Sequence, residues 1–510
     1  MSDFSTPGIE WLAVIPTLAV AGAGVVIVMG RALAKRAPGV HAASVFTAFV
    51  GVVGALVFTV YQWLQVQDDG GYVTFGRMVA LDGFAVYLSI VVLIATLLAL
   101  LVSAGYVTRV GLEGPEYLAL LLFSSAGLLV MATANDLIVV FIALEVLSIP
   151  LYVLAAIDPR RAESQEAGIK YFLIGAFSSA IFLYGVALTF GAVGSTNLTT
   201  ISEFLAGRSL LDHGVLLAAI GLLIVGVAFK SASVPFHMWA PDVYDGAPSP
   251  VTGFMAAAVK AGAFAAFLRV IVGAFSLQRN DWRGIVWVLA VLSMLVGSIA
   301  ALTQTDIKRM LAYSSISHVG YVLIGVYTAT TDSVAAALLY LLAYTFMVSG
   351  AFAVITLVSG PEDRSYSLDD YKGLGRREPF LAGVLTLMLL AMAGVPLTAG
   401  FVAKLDIFAA AVDAEDYSLA IVGVIAAVIA AFIYLRVVVS MYMDGEEPHD
   451  EAPDAAPAGS VKLGTRIRVD VGTGIALAIC VVAVLAIGIL PNEFWEFSKD
   501  ATLYFPLPAP

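Results

Sequence analysis

The 510-residue sequence contains a single cysteine, Cys480. A lone thiol excludes an internal disulfide and a four-cysteine iron–sulfur site within the chain. Histidine is almost as scarce: His41, His213, His237, His318 and His449 make up the set, and no two lie three or four positions apart. Metal or bis-histidine haem ligation therefore has little footing. No glycine-rich phosphate loop or dinucleotide fingerprint is present, so any redox chemistry belongs to a partner. Charge is also sparse. Charged residues form 13% of the chain and hydrophobic residues 60%, whereas a soluble chain carries about 25% charged residues. The net charge of −12 arises mainly in loops, and nucleic acid is not an expected partner.

What is present is a succession of apolar stretches, each about 20 residues long, which defines an all-α polytopic membrane protein. The hydrophobic pattern predicts fourteen spans near 9–30, 41–62, 79–106, 116–133, 136–157, 168–190, 214–235, 248–274, 284–302, 309–328, 332–358, 380–410, 417–443 and 470–490. The first has no positive leader and is followed by Arg31, Lys35 and Arg36, the pattern of a retained helix rather than a cleaved signal. The fourth and fifth spans meet in a tight turn at Ala132–Asp136. Basic loop residues set the orientation. With the N-terminus outside, 15 Lys and Arg fall on the cytoplasmic side and 5 on the other, placing both termini outside a bacterial plasma membrane. The segment 444–470 reads as a cytoplasmic connection, acidic and then Pro/Ala-rich. Residues 193–213 form a longer external loop with room for a short surface helix.

Against this apolar background a few charges stand out. Glu145, Lys230, Lys260 and Lys404 lie inside long spans, although the chain has only nine lysines. A charge at mid-membrane costs roughly 2.5–3.5 kcal/mol on insertion scales, and such residues normally line an ion or proton path. Two spans also carry interruptions. In GVAFKSASVPFHMWAPD, Pro235 frees the carbonyl of Ser231 beside Lys230, with Ser231 and Ser233 as its polar neighbours. In LLAMAGVPLTAGFVAKLDIF, Pro396 sits between Gly394 and Gly400, and Lys404 follows eight residues later, about 12 Å along a regular helix. Broken helices at membrane depth mark the ion site of transporters. Spans seven and twelve are five helices apart and so run in opposite directions. Spans 4–8 and 9–13 are therefore expected to form an inverted repeat. The expected organisation is a three-helix segment at 1–114, five-helix repeats at 115–275 and 276–443, and a loop with a final helix at 444–510.

Each residue also has a plainer reading. For Glu145 the plainer reading is a structural ion pair and for Lys230 it is snorkelling towards the boundary, while Lys170, near a span start, is an open choice between function and snorkelling. His318, in AYSSISHVGYVLIG, is equally a proton relay or a satisfied core histidine. Arg269 and Arg436 read as interfacial anchors, and Asp242 and Asp245 as turn and cap residues. If the charges do act, the chemistry is electrostatic. Burial penalises the charged form of a lysine, and a carboxylate opposes that penalty. For charges ~7 Å apart at an effective dielectric of ~20, the interaction is roughly 2.4 kcal/mol. Glu145 is thus expected to modulate Lys230, with Lys260 passing protons through His318 towards Lys404.

At KSASVPFHMWAPDVYDGAPSPVTGFMAAAVK the chain resembles the antiporter-like membrane subunits of respiratory complex I and of multi-subunit cation/proton antiporters. The wording VPFHMWAPDVYDGAPSPV most resembles the subunit N group of NADH:quinone oxidoreductase. LEVLSIPLYVL, TDIKRMLAYSSISHVGY and GVPLTAGFVAKLDIF extend the likeness over essentially the whole chain. The resemblance implies a fourteen-helix inverted-repeat fold that pumps protons. It implies roles for Glu145, Lys170, Lys230, Lys260 and Lys404. It further implies no cofactor in this chain, with FMN, iron–sulfur clusters, NADH and quinone handled by partner subunits. Neighbouring antiporter-like and small helical subunits would be direct partners, and the peripheral redox arm an indirect one. Two alternatives are a subunit of a Na+/H+ antiporter or of a related hydrogenase or dehydrogenase membrane arm, and a scaffold that does not pump. Sodium would favour oxygen-rich sites, whereas the central charges here are mostly lysines.

Overall fold

Lipid offers the backbone no hydrogen-bond partners, so each apolar run must satisfy its own amides and carbonyls as helix. The computed structural model describes residues 8–33, 39–112, 114–207, 214–360, 363–364, 366–443 and 467–501. A 3-10 turn at Trp11–Val14 leads into α1 (Ile15–Leu33), followed by α2 (Val40–Asp69), α3 (Gly83–Val110), α4 (Pro115–Thr133), α5 (Leu137–Ala155) and α6 (Ala162–Val193). Next come α7 (Leu198–Gly207), α8 (Gly214–Ser231) and α9 (Trp239–Gly246). The eighth crossing combines α10 (Ser249–Phe254) and α11 (Lys260–Ala266) with π-helical stretches at Met255–Val259 and Phe267–Ala274. The second half holds α12 (Arg279–Leu302), α13 (Ile307–Thr328), α14 (Thr331–Val358), α15 (Leu374–Arg377), α16 (Pro379–Ala393), α17 (Ala399–Asp413), α18 (Tyr417–Tyr442), α19 (Val471–Ile489) and α20 (Pro491–Lys499).

Thirteen helices among the described residues are long and apolar enough to cross a membrane. The half-helices α16 and α17 supply the fourteenth expected crossing. The tight turn after the fourth crossing is Ala134–Asp136, where Asp136 caps α5 by accepting from the Ile138 amide at 2.8 Å. The external loop after α6 does carry a short helix, α7. Residues 444–466, most of the expected cytoplasmic connection, lie outside the described residues. One element had no forecast: a hairpin of β1 (Tyr72–Thr74) and β2 (Val79–Leu81), antiparallel with Tyr72 opposite Leu81.

The core runs through the middle of the chain. Crossing eight is buried along its length, and α13 and α14 nearly so. By contrast only about a third or less of the apolar windows of α1, α2, α6, α18 and α19 is buried, as in helices facing lipid.

Both expected interruptions are real and are built alike. Crossing seven stops at Ser231, and Ala232 turns into the left-handed region at φ 62°. The Ser233 amide then bonds the Ala228 carbonyl at 2.8 Å, and the Ala232 amide bonds that of Phe229 at 3.0 Å. Crossing twelve stops at Ala393, with Gly394 at φ 92°. There the Val395 amide bonds Leu390 O at 3.1 Å, and the Gly394 amide bonds Ala391 O at 2.9 Å. This pair of hydrogen bonds closing over a left-handed residue is a helix C-cap, so each crossing is two helices with a capped end inside the crossing. Gly400 is required beside the second break, because a Cβ there would strike the Ala391 carbonyl.

Candidate functional site

The two capped ends place the lysines. Lys230 is in the last turn of α8, and Lys404 reaches from α17 back to the end of α16. Helix C-termini carry partial negative charge and exposed carbonyls, and both favour a cation. The Lys404 ammonium donates to Met392 O at 2.8 Å and Ala393 O at 3.0 Å. The break thus folds Lys404 back onto the preceding half-helix, where a continuous helix would have carried it about 16–18 Å along the axis from those carbonyls. Its Nζ also lies 5.2 Å from the Tyr321 ring centre.

Lys230 donates to Ser148 Oγ at 2.7 Å and Tyr171 OH at 3.1 Å. Ser231 and Ser233, expected as its neighbours, bond each other at 2.7 Å instead, because the cap turns them away. Glu145 lies one turn before Ser148 on α5. Its Oε1 is buried and has no hydrogen-bond partner. Among the described residues no ion pair closes between Glu145 and Lys230 within 4.0 Å; Ser148 stands between them as the lysine's acceptor. A small cleft opens beside Lys230, lined by Ser148, Tyr152, Ser178 and Ser179.

Lys260 follows the first π-helical stretch, a distortion frequent at functional sites, and donates to the Ser315 carbonyl of α13 at 2.8 Å. One turn further along α13, His318 has both ring nitrogens engaged: Nδ1 with Tyr340 OH at 2.7 Å and Nε2 with Tyr434 OH at 3.2 Å. Tyr434 in turn bonds Ser314. The serines next to His318 in sequence are therefore not its direct partners; Ser317, for example, pairs with Ser298 at 2.9 Å. Lys230, Lys260, His318 and Lys404 are all 4–5% exposed.

Lys170 stands apart. Its side chain is 40% exposed and bonds Glu166 at 2.7 Å and Asp242 at 2.6 Å. Asp242 and Asp245 lie within α9 and also hold Arg309, at 3.0 and 3.4 Å, so they are ion-pair residues rather than turn caps. Of the two arginines read as anchors, Arg269 is corrected. Arg269 is 1% exposed and forms a two-pronged pair with Asp82 at 2.8 and 2.7 Å. Arg436 closes the end of α12 by donating to Leu302 O at 2.9 Å and Gln304 O at 2.7 Å. Sequence reasoning missed Ser148, Tyr171, Tyr340 and Tyr434, whose hydroxyls lie on helices far along the chain from the ionisable groups they meet.

The family described as NADH:quinone oxidoreductase/Mrp antiporter, TM, matches residues 134–430. The chain belongs to this family. NADH-quinone oxidoreductase subunit N of Salinispora arenicola is 41% identical over 98% of this chain and 99% of its own length. Subunit N of Trichlorobacter lovleyi is 41% identical over 89% of each chain. A chain of respiratory complex I from Thermus thermophilus superposes with a TM-score of 0.77 at 32% identity, covering 94% of this chain and 98% of that one. A chain of the Mrp complex from Dietzia superposes with a TM-score of 0.81 at 23% identity, covering 96% of each, a likeness of fold alone. The segment matched to the NADH:quinone oxidoreductase/Mrp antiporter family contains Glu145, Lys230, Lys260, His318 and Lys404 together with both breaks.

Proposed function

We propose that the chain is the subunit N of a bacterial NADH:quinone oxidoreductase and translocates protons without redox chemistry of its own. FMN, iron–sulfur clusters, NADH and quinone are assigned to partner subunits, and neighbouring antiporter-like and small helical subunits to its flanks. The chain would lie in the plasma membrane with both termini outside, in keeping with the excess of basic residues on the opposite side. Residues 115–275 and 276–443 form the inverted repeats, each carrying one capped break with a lysine at it.

The observation that carries this reading is the company the lysines keep. Among the described residues, Lys230, Lys260 and Lys404 donate to neutral oxygens: a serine and a tyrosine hydroxyl, one carbonyl, and two carbonyls. An ammonium bound by neutral acceptors is stabilised enough to exist in a buried site, yet no fixed counter-charge forbids its loss of a proton. Glu145 sits where a change in its own protonation or position alters the balance at Lys230. The string from Lys260 through Ser315 on α13 to His318, flanked by Tyr340 and Tyr434, leads towards Lys404. Lys170 belongs to the rim, as a link to the surface pairs on α9.

The test uses the intact complex in sealed vesicles. Lys230→Met, Lys260→Met and Lys404→Met should each lower the protons moved per NADH oxidised at least about tenfold, while the uncoupled rate and the subunit content stay normal. Normal pumping by an assembled Lys230→Met complex contradicts the scheme.

A further inference from the structure

One buried ionic cluster lies away from the lysine line and has no part in it. Asp363 follows α14, is fully buried, and sits at φ 52°, in the left-handed region. It accepts hydrogen bonds from Tyr106 OH at 2.8 Å, Ser249 Oγ at 3.1 Å and Ser359 Oγ at 2.9 Å. It also pairs with Arg161 Nη1 at 2.9 Å, and the arginine side chain is 7% exposed. These partners come from α3, the N-cap of α6, the start of α10 and the end of α14. Burial alone would raise the proton affinity of the carboxyl. Lys308, Arg161 and the hydrogen bonds from Tyr366 and Tyr106 more than offset that and hold it below its ordinary value.

Lys308 is the unusual member. It is fully buried in the first turn of α13, where the helix dipole opposes a cation. Several groups compensate. Asp363 first, then Asp245 and Asp306, supply negative charge nearby, and the Tyr366 ring centre lies 4.3 Å from Nζ. The ammonium then donates to the carbonyl of Ala247 at 2.7 Å. Ala247 is the C-cap of α9, the second half of the broken seventh crossing, and Ser249 begins the crossing that carries Lys260.

We propose that Asp363 is a positioning residue: through Arg161, Ser249 and Lys308 it fastens the C-terminal end of α9 and the start of α10 to the second half of the molecule. The competing attachment of α9 is the cluster of Asp242, Asp245, Lys170 and Arg309, whose side chains are 34–40% exposed. Exposed pairs contribute little, whereas breaking a buried pair is strongly destabilising, so the Asp363 cluster dominates. With α9 and α10 held, the turn at 232–238 is where α8, bearing Lys230, meets a fixed body. The fastening follows from the packing by itself; its consequence for coupling rests on the proton-transfer reading.

The test is backbone hydrogen exchange in the purified whole complex. Asn adopts the left-handed region as Asp does, so Asp363→Asn alters charge without a backbone penalty. Amides of 239–247 should exchange at least about tenfold faster, while those of 214–230 keep their rates. Unchanged exchange at 239–247, or an equal rise across all crossings, overturns the proposal. If Asp363→Asn does not assemble, Lys308→Met removes the link to Ala247 together with one of the charges facing Asp363, and is read by the same two outcomes. Protons moved per electron, measured alongside Lys230→Met, separate the two claims. Normal pumping by Lys230→Met sinks the proton reading and leaves the exchange result to decide the fastening.

Discussion

At the scale of single residues, the sequence announced which charges sit in the membrane but not what they touch. Glu145, Lys230, Lys260 and Lys404 are legible because a charge in an apolar run is costly wherever it points. Arg269 was misread because its partner, Asp82, is 187 positions away, and only the fold brings them together. Asp306 offers a residue-scale prediction outside the crossings. It caps α13 by accepting from the Lys308 and Arg309 amides at 2.8 and 3.0 Å. Burial, and then the nearby Asp245, raise its carboxyl to about 6. Because the folded state holds this proton more tightly than the unfolded chain, ionisation costs stability. That cost is present above about pH 6 and fades as pH falls towards about 4. Asp306→Asn keeps a capping oxygen and should flatten this part of the stability–pH profile, as thermal unfolding in detergent between those values would show. A profile identical to that of the parent would remove Asp306 from the account.

At the scale of elements, the prolines marked both interruptions, although each helix already stops at a left-handed residue before its proline, Ala232 before Pro235 and Gly394 before Pro396. What they did not reveal is the cap. Gly394 is a recognisable left-handed cap residue, but Ala232 is not, and the sequence therefore carried span seven on to 235 rather than stopping it at Ser231. The reach of Lys404 back to α16 was likewise invisible, because it depends on that chain reversal. The break also sets the packing there. Gly400→Ala should displace the start of α17 and lower both thermal stability and pumping, since its Cβ would meet the Ala391 carbonyl. Gly221, on α8, has open space around its would-be Cβ. Gly221→Ala should be neutral or stabilising by up to about 1 kcal/mol. Equal melting temperatures for the two variants would show that the second break does not need its glycine.

At the scale of the whole molecule, the basic loops supply an expected orientation, and crossing number was legible from hydropathy, because the bilayer imposes it from outside. The ties that hold the halves together were not, since Arg161 and Asp363 are 202 positions apart. Orientation can be read directly from the two ends of α12 in a chain whose Cys480 is replaced by alanine. Asn280→Cys should react with a membrane-impermeant maleimide in intact cells, and Thr303→Cys only after permeabilisation; the reverse pattern would invert the topology. The central claim remains that the buried lysines carry protons, and its most direct measurement is the number of protons moved per NADH oxidised by vesicles containing the Lys404→Met complex. The account predicts near-complete loss of pumping with normal assembly and a normal uncoupled oxidation rate. An unchanged proton-to-electron ratio in that assembled complex would contradict it.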